Sequence, residues 1–240
     1  MTHRRMPPVL RAVVWTVRPF VWGLTRREWG GAEHLPRSGG FVLAPNHLSY
    51  VDPFVFGIWM ADRRLPPRFL VKDSLFDVRG IGWILRHGGQ IPVHRGTDTA
   101  ADAVRTAIAA LRSGEVIAIY PEGTMTRDPA AWPMSGRTGA VRAAHAAGVP
   151  LVPVAQWGPQ EIMWPYRREF RPFPRKTMHV LVGEPIDLTG LGDQPSEQDL
   201  EEATDRLMTA ITHLEEQLRG EVPTAPRLDV HALDRREGER

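Results

Sequence analysis

The residues best suited to chemistry in this chain are a histidine and an aspartate five positions apart, His47 and Asp52 in the stretch NHLSYVD. On one ideal helix their side chains would point about 140° apart, so a continuous helix could not bring them together. Pro53 follows Asp52, and an aspartate before a proline at the first helical position is typical of a helix start. We therefore expect the chain to leave a strand at Ala44-Pro45, turn, and enter a helix capped by Asp52, so that this carboxylate folds back toward His47.

The spacing of this pair leaves two interpretations open. As a catalytic pair, the imidazole of His47 would act as a general base, and Asp52 would accept the other ring N–H and so fix the tautomer. As an ordinary loop, the aspartate would only cap the helix and the histidine would have no catalytic role. Ligands bind at loops that follow the carboxyl ends of strands in α/β sheets, so the position suits a site without deciding between the two.

The segments around the pair alternate between short apolar runs and stretches of helical periodicity, which predicts an α/β fold. We expect a single domain with a mixed, mostly parallel central sheet flanked by helices. The clearest helices are TDTAADAVRTAIAALRSG and SEQDLEEATDRLMTAITHLEEQLRG, and the second begins with a capping box at Ser196 and Asp199. The predicted strands lie at residues 41–45, 68–72, 90–94, 115–120, 149–155 and 178–183.

The composition limits the possible functions. With 240 residues, of which 42% are hydrophobic and 24% charged, the chain can fold around a sizeable core. It has no cysteine, which excludes disulfides and thiolate chemistry and suits a reducing compartment. His87, His94 and His145 have no carboxylate at a suitable spacing, and we expect neither a metal site nor a bound cofactor. The formal net charge is only +2, and no motif predicts nucleic-acid binding.

Residues 1–30 are predicted to form an amphipathic membrane-docking segment, ahead of a main domain at 31–219 and a flexible tail at 220–240. The stretch VLRAVVWTVRPFVWGL is shorter than the roughly 20 residues that a spanning helix needs, and Pro19 would kink or split it. Arginine and tryptophan on one side suit the lipid headgroup layer, whereas packing of the helix on the domain is the other interpretation. The polar side contains Arg11, Trp15, Arg18, Trp22 and Trp29, and the apolar side contains Leu10, Val13, Val17, Phe20 and Leu24.

Three further segments follow NHLSYVD along the chain, namely GQIPVHR at 89–95, YPEGT at 120–124 and VPLVPVA at 149–155. In this order and spacing, the four segments resemble the four motifs of the glycerolipid acyltransferases, specifically the 1-acylglycerol-3-phosphate acyltransferase family with its His-x-x-x-x-Asp motif. Any one motif would be weak, but four in register are specific. The stretches YPEGTMTRDPAAWPMSGRTGA and VAQWGPQEI look most similar to bacterial, particularly actinobacterial, members.

The resemblance implies an enzyme that moves a fatty acyl chain from acyl-CoA or acyl carrier protein to the free hydroxyl of lysophosphatidic acid, giving phosphatidic acid in phospholipid biosynthesis. His47 would take the hydroxyl proton with Asp52 behind it, so no covalent enzyme intermediate is needed. The enzyme would be peripheral on the cytoplasmic face of the cell membrane, bound to anionic lipids. Two alternatives stay open: another lipid alcohol as acceptor, such as a lysophospholipid, glycerol phosphate or glycolipid, or a catalytically silent membrane-binding module.

By the same resemblance, cationic side chains hold the phosphate of the acceptor, and arginine suits phosphate oxygens. Arg95 is the leading candidate, and Lys72 matches the lysine that precedes the second motif in this family. The family usually has arginine directly after the threonine of the third motif, whereas this chain has Met125, which makes Arg127 the nearest substitute. Lys72 and Arg127 could instead be ordinary solvated residues. The other residues expected near the glycerol phosphate are Glu122, Gly123 and Thr124, with Arg137 as a weaker candidate.

Overall fold

The computed structural model describes residues 5–93, 99–167, 169–230 and 232, in which strands and helices alternate as predicted. The strands are β1 (Thr25–Gly30), β2 (Phe41–Pro45), β3 (Leu70–Lys72), β4 (Ile91–Val93), β5 (Val116–Ala118), β6 (Leu151–Trp157) and β7 (Lys176–Val182). The helices are α1 (Pro8–Leu24), α2 (Asp52–Asp62), α3 (Ile81–His87), α4 (Thr99–Arg112), α5 (Gly139–Ala147), α6 (Pro159–Ile162) and α7 (Glu197–Arg219). Each predicted strand is present, and its ends are shifted by a few residues at most.

The central sheet is mixed and mostly parallel, which confirms the predicted fold class. Its strand order is β1-β7-β6-β2-β5. Strand β2 pairs in parallel with β5 and β6, and β1 pairs in parallel with β7, whereas β6 and β7 are antiparallel. Strands β3 and β4 form a separate parallel pair, joined to this sheet by a bridge between Phe69 and Ala118. The carboxyl ends of β2, β3, β4 and β5 therefore lie along one edge, where ligands bind in sheets of this kind.

Helices cover both faces of the sheet. Side chains along β2 point alternately to one face and the other, and they are apolar on both. Val42 and Ala44 lie in an apolar cluster with residues of α4, α5 and α7. Phe41 and Leu43 lie in a second cluster, with Trp59 and other residues of α2. All five side chains are fully buried. The α/β domain therefore has a core on each side of the sheet, and β2 leads directly from that core into the NHLSYVD turn.

The N-terminal helix α1 packs on the domain and is not split at Pro19, although a proline in a helix interior removes one backbone hydrogen bond. Arg18 forms an ion pair with Asp62 in the last turn of α2. Within the described ranges, no helix combines the length and the apolar character needed to cross a membrane. The inner side of α1 contributes Val14, Val17 and Val21 to an apolar cluster with α2.

Two residues of the predicted amphipathic segment lie elsewhere than expected. Phe20, assigned to the packed side, is 64% exposed, because the buried line of α1 runs through Val17 and Val21, roughly 90° around the helix. Trp29, assigned to the polar side, is not on the helix at all. The helix ends at Leu24, and Trp29 belongs to β1, which pairs with β7 in the central sheet.

The described part of the C-terminal tail packs back onto the domain near residue 135. The backbone N–H of Ser135 donates to O of Leu228, and the N–H of Val230 donates to Oγ of Ser135, both at 2.8 Å. Val230 is buried, and Arg227 forms an ion pair with Asp205 of α7. Residues 227–230 are therefore packed against the domain, and the flexibility of the tail as a whole stays a prediction.

Candidate active site

The turn between β2 and α2 brings His47 and Asp52 together. Nδ1 of His47 lies 2.8 Å from Oδ2 of Asp52, and since a carboxylate only accepts hydrogen bonds, Nδ1 carries the proton and donates it. Asp52 is fully buried, whereas 18% of the His47 side chain is exposed. In the neutral form of this ring Nε2 has no proton, and it can take one from a bound alcohol.

Asp52 does not cap α2, contrary to the expectation from Pro53. The residue at the N-cap position is Val51, and no side-chain hydrogen bond caps the helix there. Oδ2 of Asp52 instead accepts the backbone N–H groups of Leu48 at 2.5 Å and Ser49 at 2.9 Å, in the turn that precedes the helix. Together with the imidazole, three donors converge on one carboxylate oxygen. This arrangement holds the turn and the imidazole in one geometry.

Tyr120, which follows β5, restricts the imidazole from one side. Its ring stacks on that of His47 with the centroids 4.2 Å apart and an angle of 24° between the planes. Burial raises the pKa of the Tyr120 hydroxyl well above its ordinary value, and the negative charge of Asp52 raises it further. The tyrosine is therefore neutral, and its ring limits rotation of His47.

Glu122 binds the backbone of the same turn. Its Oε1 accepts the N–H of His47 at 2.9 Å, and its Oε2 accepts the N–H of Met134 at 3.0 Å. The N–H of Thr126 also donates to O of His47, at 2.8 Å. Burial raises the pKa of Glu122 to about 8, against the lowering effect of its two backbone donors. Both oxygens of Glu122 face protein, so its contact with the glycerol phosphate stays a prediction.

Gly123 allows Arg137 to lie directly against the YPEGT loop. Gly123 has a φ of +69°, and a Cβ added there would be 2.7 Å from Nε of Arg137. The backbone N–H of Arg137 donates to O of Pro121 at 2.8 Å. The left-handed backbone favours glycine at this position, and the absence of a Cβ leaves room for the guanidinium. Arg137, the weaker candidate from sequence, is thus placed beside the third motif.

Thr124 and Arg127 both contact Tyr166. Oγ1 of Thr124 lies 3.0 Å from the hydroxyl of Tyr166, which also donates to O of Met125 at 2.8 Å. The guanidinium carbon of Arg127 lies 5.5 Å from the ring centroid of Tyr166, within the range of a cation–π interaction. The structure thus brings these two predicted substrate residues together around one partly exposed tyrosine, which the sequence analysis did not single out.

The remaining two cationic candidates belong to the neighbouring strand pair. Lys72 is exposed at the carboxyl end of β3 and is opposite Val93 of β4 in the parallel register. It therefore lies at the same edge of the sheet as His47. Arg95 follows β4 and lies outside the described residues. Binding of phosphate by Lys72 and Arg95 stays a prediction.

The side chains that fix the residue before His47 were not predicted from the sequence. Nδ2 of Asn46 donates to O of Gln156 at 3.1 Å and to Oε2 of Glu215 at 2.7 Å. Asn46 could have been noticed as the first residue of NHLSYVD. Its two partners lie 110 and 169 positions away, and no local pattern connects residues so distant in sequence.

The arrangement as a whole suits base-assisted transfer to a hydroxyl group. It provides an imidazole with one accessible nitrogen, a buried carboxylate behind it, and cationic side chains on the adjoining loops. Within the described ranges, no group of three or more His, Asp or Glu side chains could hold a metal ion.

Comparison with other proteins gives the same class of chemistry. The model of the acyltransferase family matches residues 26–157, a segment that contains His47, Asp52 and the YPEGT loop. A 1-acyl-sn-glycerol-3-phosphate acyltransferase of Bacillus subtilis is 31% identical over 186 residues, which cover 78% of this chain and 86% of that protein. An enzyme of the same name from Streptococcus pneumoniae is 26% identical over 182 residues, which cover 75% of this chain and 62% of that protein.

A solved structure shares the fold. The crystal structure of the 1-acyl-sn-glycerophosphate (LPA) acyltransferase PlsC from Thermotoga maritima matches with a TM-score of 0.68 and 24% sequence identity, over 90% of this chain and 81% of that one. Fold and site together define an acyltransferase. The chain belongs to the acyltransferase family, and its relationship to the 1-acylglycerol-3-phosphate acyltransferases, predicted from the four motifs, is confirmed.

Proposed function

We propose that this acyltransferase moves a fatty acyl chain from a thioester donor, acyl-CoA or acyl carrier protein, to the free hydroxyl of lysophosphatidic acid, giving phosphatidic acid. The observation that carries the proposal is the 2.8 Å contact between His47 and the buried Asp52 at the carboxyl edge of the sheet. The names of the relatives from Bacillus subtilis and Streptococcus pneumoniae support the choice of acceptor.

In the proposed reaction, Nε2 of His47 takes the proton of the acceptor hydroxyl as its oxygen attacks the carbonyl carbon of the thioester. The tetrahedral intermediate then collapses, the C–S bond breaks, and the departing thiolate receives the proton from the imidazolium. Asp52 stabilises the imidazolium because its Oδ2 accepts the Nδ1–H. The new ester forms without a covalent enzyme intermediate.

The phosphate of the acceptor would bind to cations on the loops beside the pair. Met125, which stands where the family usually has arginine, is buried, so this position does not face solvent. Arg127 and Arg137 both follow it along the chain, and they lie against Tyr166 and Gly123 respectively. We assign the phosphate contact to these arginines together with Lys72 and Arg95, which follow the neighbouring strands.

A competition assay tests the choice of acceptor. One labelled acyl donor is offered to a panel of lysolipids at equal concentration, with His47→Ala as the background. We expect lysophosphatidic acid to be preferred, because a phosphomonoester forms the most charge-assisted hydrogen bonds with arginine and lysine. A preference for a monoacylglycerol or a lysophospholipid without a phosphomonoester would overturn this assignment.

We also propose that the enzyme works on the cytoplasmic face of the membrane, bound through α1 and α3, which contact each other. Trp15 on α1 is 80% exposed, and Trp83 on α3 is 53% exposed. Indole rings suit the interface between headgroups and acyl chains. The exposed Arg11 and Arg79 lie on or next to the same helices and would favour anionic lipids.

A further inference from the structure

The last turn of α7 reaches the catalytic turn through buried hydrogen bonds. Glu215 is fully buried, and its Oε2 accepts from Nδ2 of Asn46 at 2.7 Å while its Oε1 accepts from Nη1 of Arg219 at 3.0 Å. The guanidinium of Arg219 lies 3.6 Å from the ring centroid of Trp132 and 4.2 Å from that of Trp157. A cation packed between two indole rings therefore fixes the carboxylate that accepts from Asn46.

Asn46 connects this carboxylate to the sheet and to His47. Its Nδ2 donates to O of Gln156 at 3.1 Å, and its Oδ1 accepts the N–H of Gln156 at 2.7 Å. Nε2 of Gln156 in turn donates to the backbone O of Asn46 at 3.1 Å. These bonds continue the pairing of β2 with β6 beyond its last register pair, Pro45 with Val154. Because Asn46 directly precedes His47, its orientation sets the direction in which the chain enters the catalytic turn.

Stability alone does not explain a glutamate at this position. A buried ion pair contributes little net stability compared with well-packed apolar residues of similar size. What Glu215 provides, and an apolar side chain would not, is an acceptor for the second N–H of the Asn46 amide. Without it a buried donor would be unsatisfied, and the amide would be free to reorient. Residue 215 also lies well beyond the 26–157 segment that matches the acyltransferase family model.

We propose that Glu215 is a positioning residue for acyl transfer, which acts through Asn46 to hold the His47 turn against β6 so that Nε2 faces the acceptor hydroxyl. The proposal rests on the function proposed above. It assigns to α7 a part in catalysis in addition to its part in the core. Glu215 itself contacts no substrate.

The test is a double-mutant cycle of Glu215→Ala and Asn46→Ala, measured as kcat and KM for acyl transfer. We expect each single variant to lose roughly 10- to 100-fold in kcat with KM nearly unchanged, because a small misplacement of the base costs rate rather than affinity. The double variant should lose no more than the worse single variant, because both remove the same contact. Additive losses in kcat, or an effect on KM alone, would overturn the proposal.

Ile211→Ala is the matched control. Ile211 is buried on α7 one turn before Glu215 and lies in the apolar cluster rather than at Asn46. This variant should lower Tm as much as or more than Glu215→Ala, yet retain wild-type kcat when assayed well below its Tm. If it loses kcat to the same extent as Glu215→Ala, loosening of α7 explains both losses and the proposal fails.

A second background keeps the proposal testable if Glu215→Ala leaves Arg219 unpaired and does not fold. The paired replacement Glu215→Met with Arg219→Met removes the carboxyl group and the guanidinium together, which buried sites often tolerate. In that background Asn46→Ala should change kcat far less than in the wild type, and an undiminished loss would contradict the proposal. If the wild type prefers another lysolipid, the proposed acceptor is wrong, and the same cycle run with that lysolipid still tests Glu215.

Discussion

At the scale of single residues, the proposed chemistry depends on one carboxylate oxygen of Asp52, which accepts hydrogen bonds from three N–H groups. Asp52→Asn keeps the size of the side chain but removes the charge that stabilises the imidazolium, so we expect kcat to fall by roughly 10³- to 10⁴-fold with little change in KM. Steady-state acyl transfer measures the loss, with His47→Ala as the baseline. Nearly full activity in Asp52→Asn would show that the carboxylate only shapes the turn.

The cationic residues should act on binding of the phosphate rather than on the base. Arg127→Ala should lower kcat/KM for lysophosphatidic acid by roughly tenfold or more, mainly through KM, because it removes a charge-assisted hydrogen bond. Arg142→Ala is the matched control, since Arg142 of α5 forms an ion pair with Glu197 at the start of α7. Wild type and Arg127→Ala should acylate an acceptor without phosphate equally well. A uniform loss with both acceptors would remove Arg127 from the phosphate site.

The sequence predicted that His47 and Asp52 lie together, but not what surrounds them. The five-residue spacing and Pro53 indicated a turn, and the resemblance then indicated the chemistry. The hydrogen bonds that Asp52 accepts from the N–H groups of Leu48 and Ser49 could not be predicted, because a capping aspartate and a turn-closing aspartate look the same in sequence. The bonds of Asn46 to Gln156 and Glu215 were hidden for another reason. They exist only because the strand order places β6 beside β2 and α7 against β6.

At the scale of elements, Glu122 fastens the loop after β5 to the loop after β2. Its pKa is about 8 when folded and 4.5 in the ordinary case, so folding retains a proton that the unfolded chain releases between these values. The free energy of unfolding should therefore fall as pH rises from about 4.5 to 8, by at most about 1.4 kcal/mol per pH unit from this group. Glu122→Gln should reduce that slope, as measured by urea unfolding at several pH values.

A control variant and a second buried acid complete this test. Glu201→Gln changes an exposed acid on α7 and should keep the slope of the wild type. Burial also raises the pKa of Glu215 to about 8, against the lowering effect of Arg219, so part of the slope should remain in Glu122→Gln. If Glu122→Gln and the wild type lose stability with pH at the same rate, the carboxyl group of Glu122 is not protonated in the folded protein.

Elements with a clear apolar pattern were predicted, whereas strand β1 and the contacts of the C-terminal tail were not. The stretch TRREWG looks like a charged continuation of the N-terminal segment, yet it forms β1 at the edge of the sheet, a position that tolerates charged side chains. The tail likewise has no periodicity, and its described part is held by Arg227 and the buried Val230. In both cases the structure depends on a distant part of the chain, β7 for β1 and Ser135 for the tail, and the local sequence does not reveal these partners.

At the scale of the whole molecule, α1 is both a packed helix and a candidate membrane contact. Its inner side is part of the core, through Val17 and Val21, so deleting the helix would expose the domain as well as remove the contact. The two interpretations that the sequence left open are therefore not exclusive. Substitutions on the outer side separate them, because Trp15 and Phe20 are exposed and contribute little to the core.

Trp15→Gln combined with Trp83→Gln should weaken binding to vesicles that contain anionic lipid by roughly tenfold or more, since burying one large apolar side chain contributes about 1.5–3 kcal/mol. Co-sedimentation with vesicles measures this, and added salt should weaken what remains by screening the arginines. Val222→Gln, at a 68% exposed position after α7, is the control and should bind as the wild type does.

The same variants should separate docking from chemistry. With lysophosphatidic acid dispersed in detergent, Trp15→Gln with Trp83→Gln should keep the kcat of the wild type, because neither side chain belongs to the His47 turn. With the acceptor in anionic vesicles, its rate should fall in proportion to the loss of binding. If the variant matches the rate of the wild type on vesicles as well as in detergent, the exposed tryptophans of α1 and α3 face water rather than lipid. The acceptor would then reach His47 by another surface.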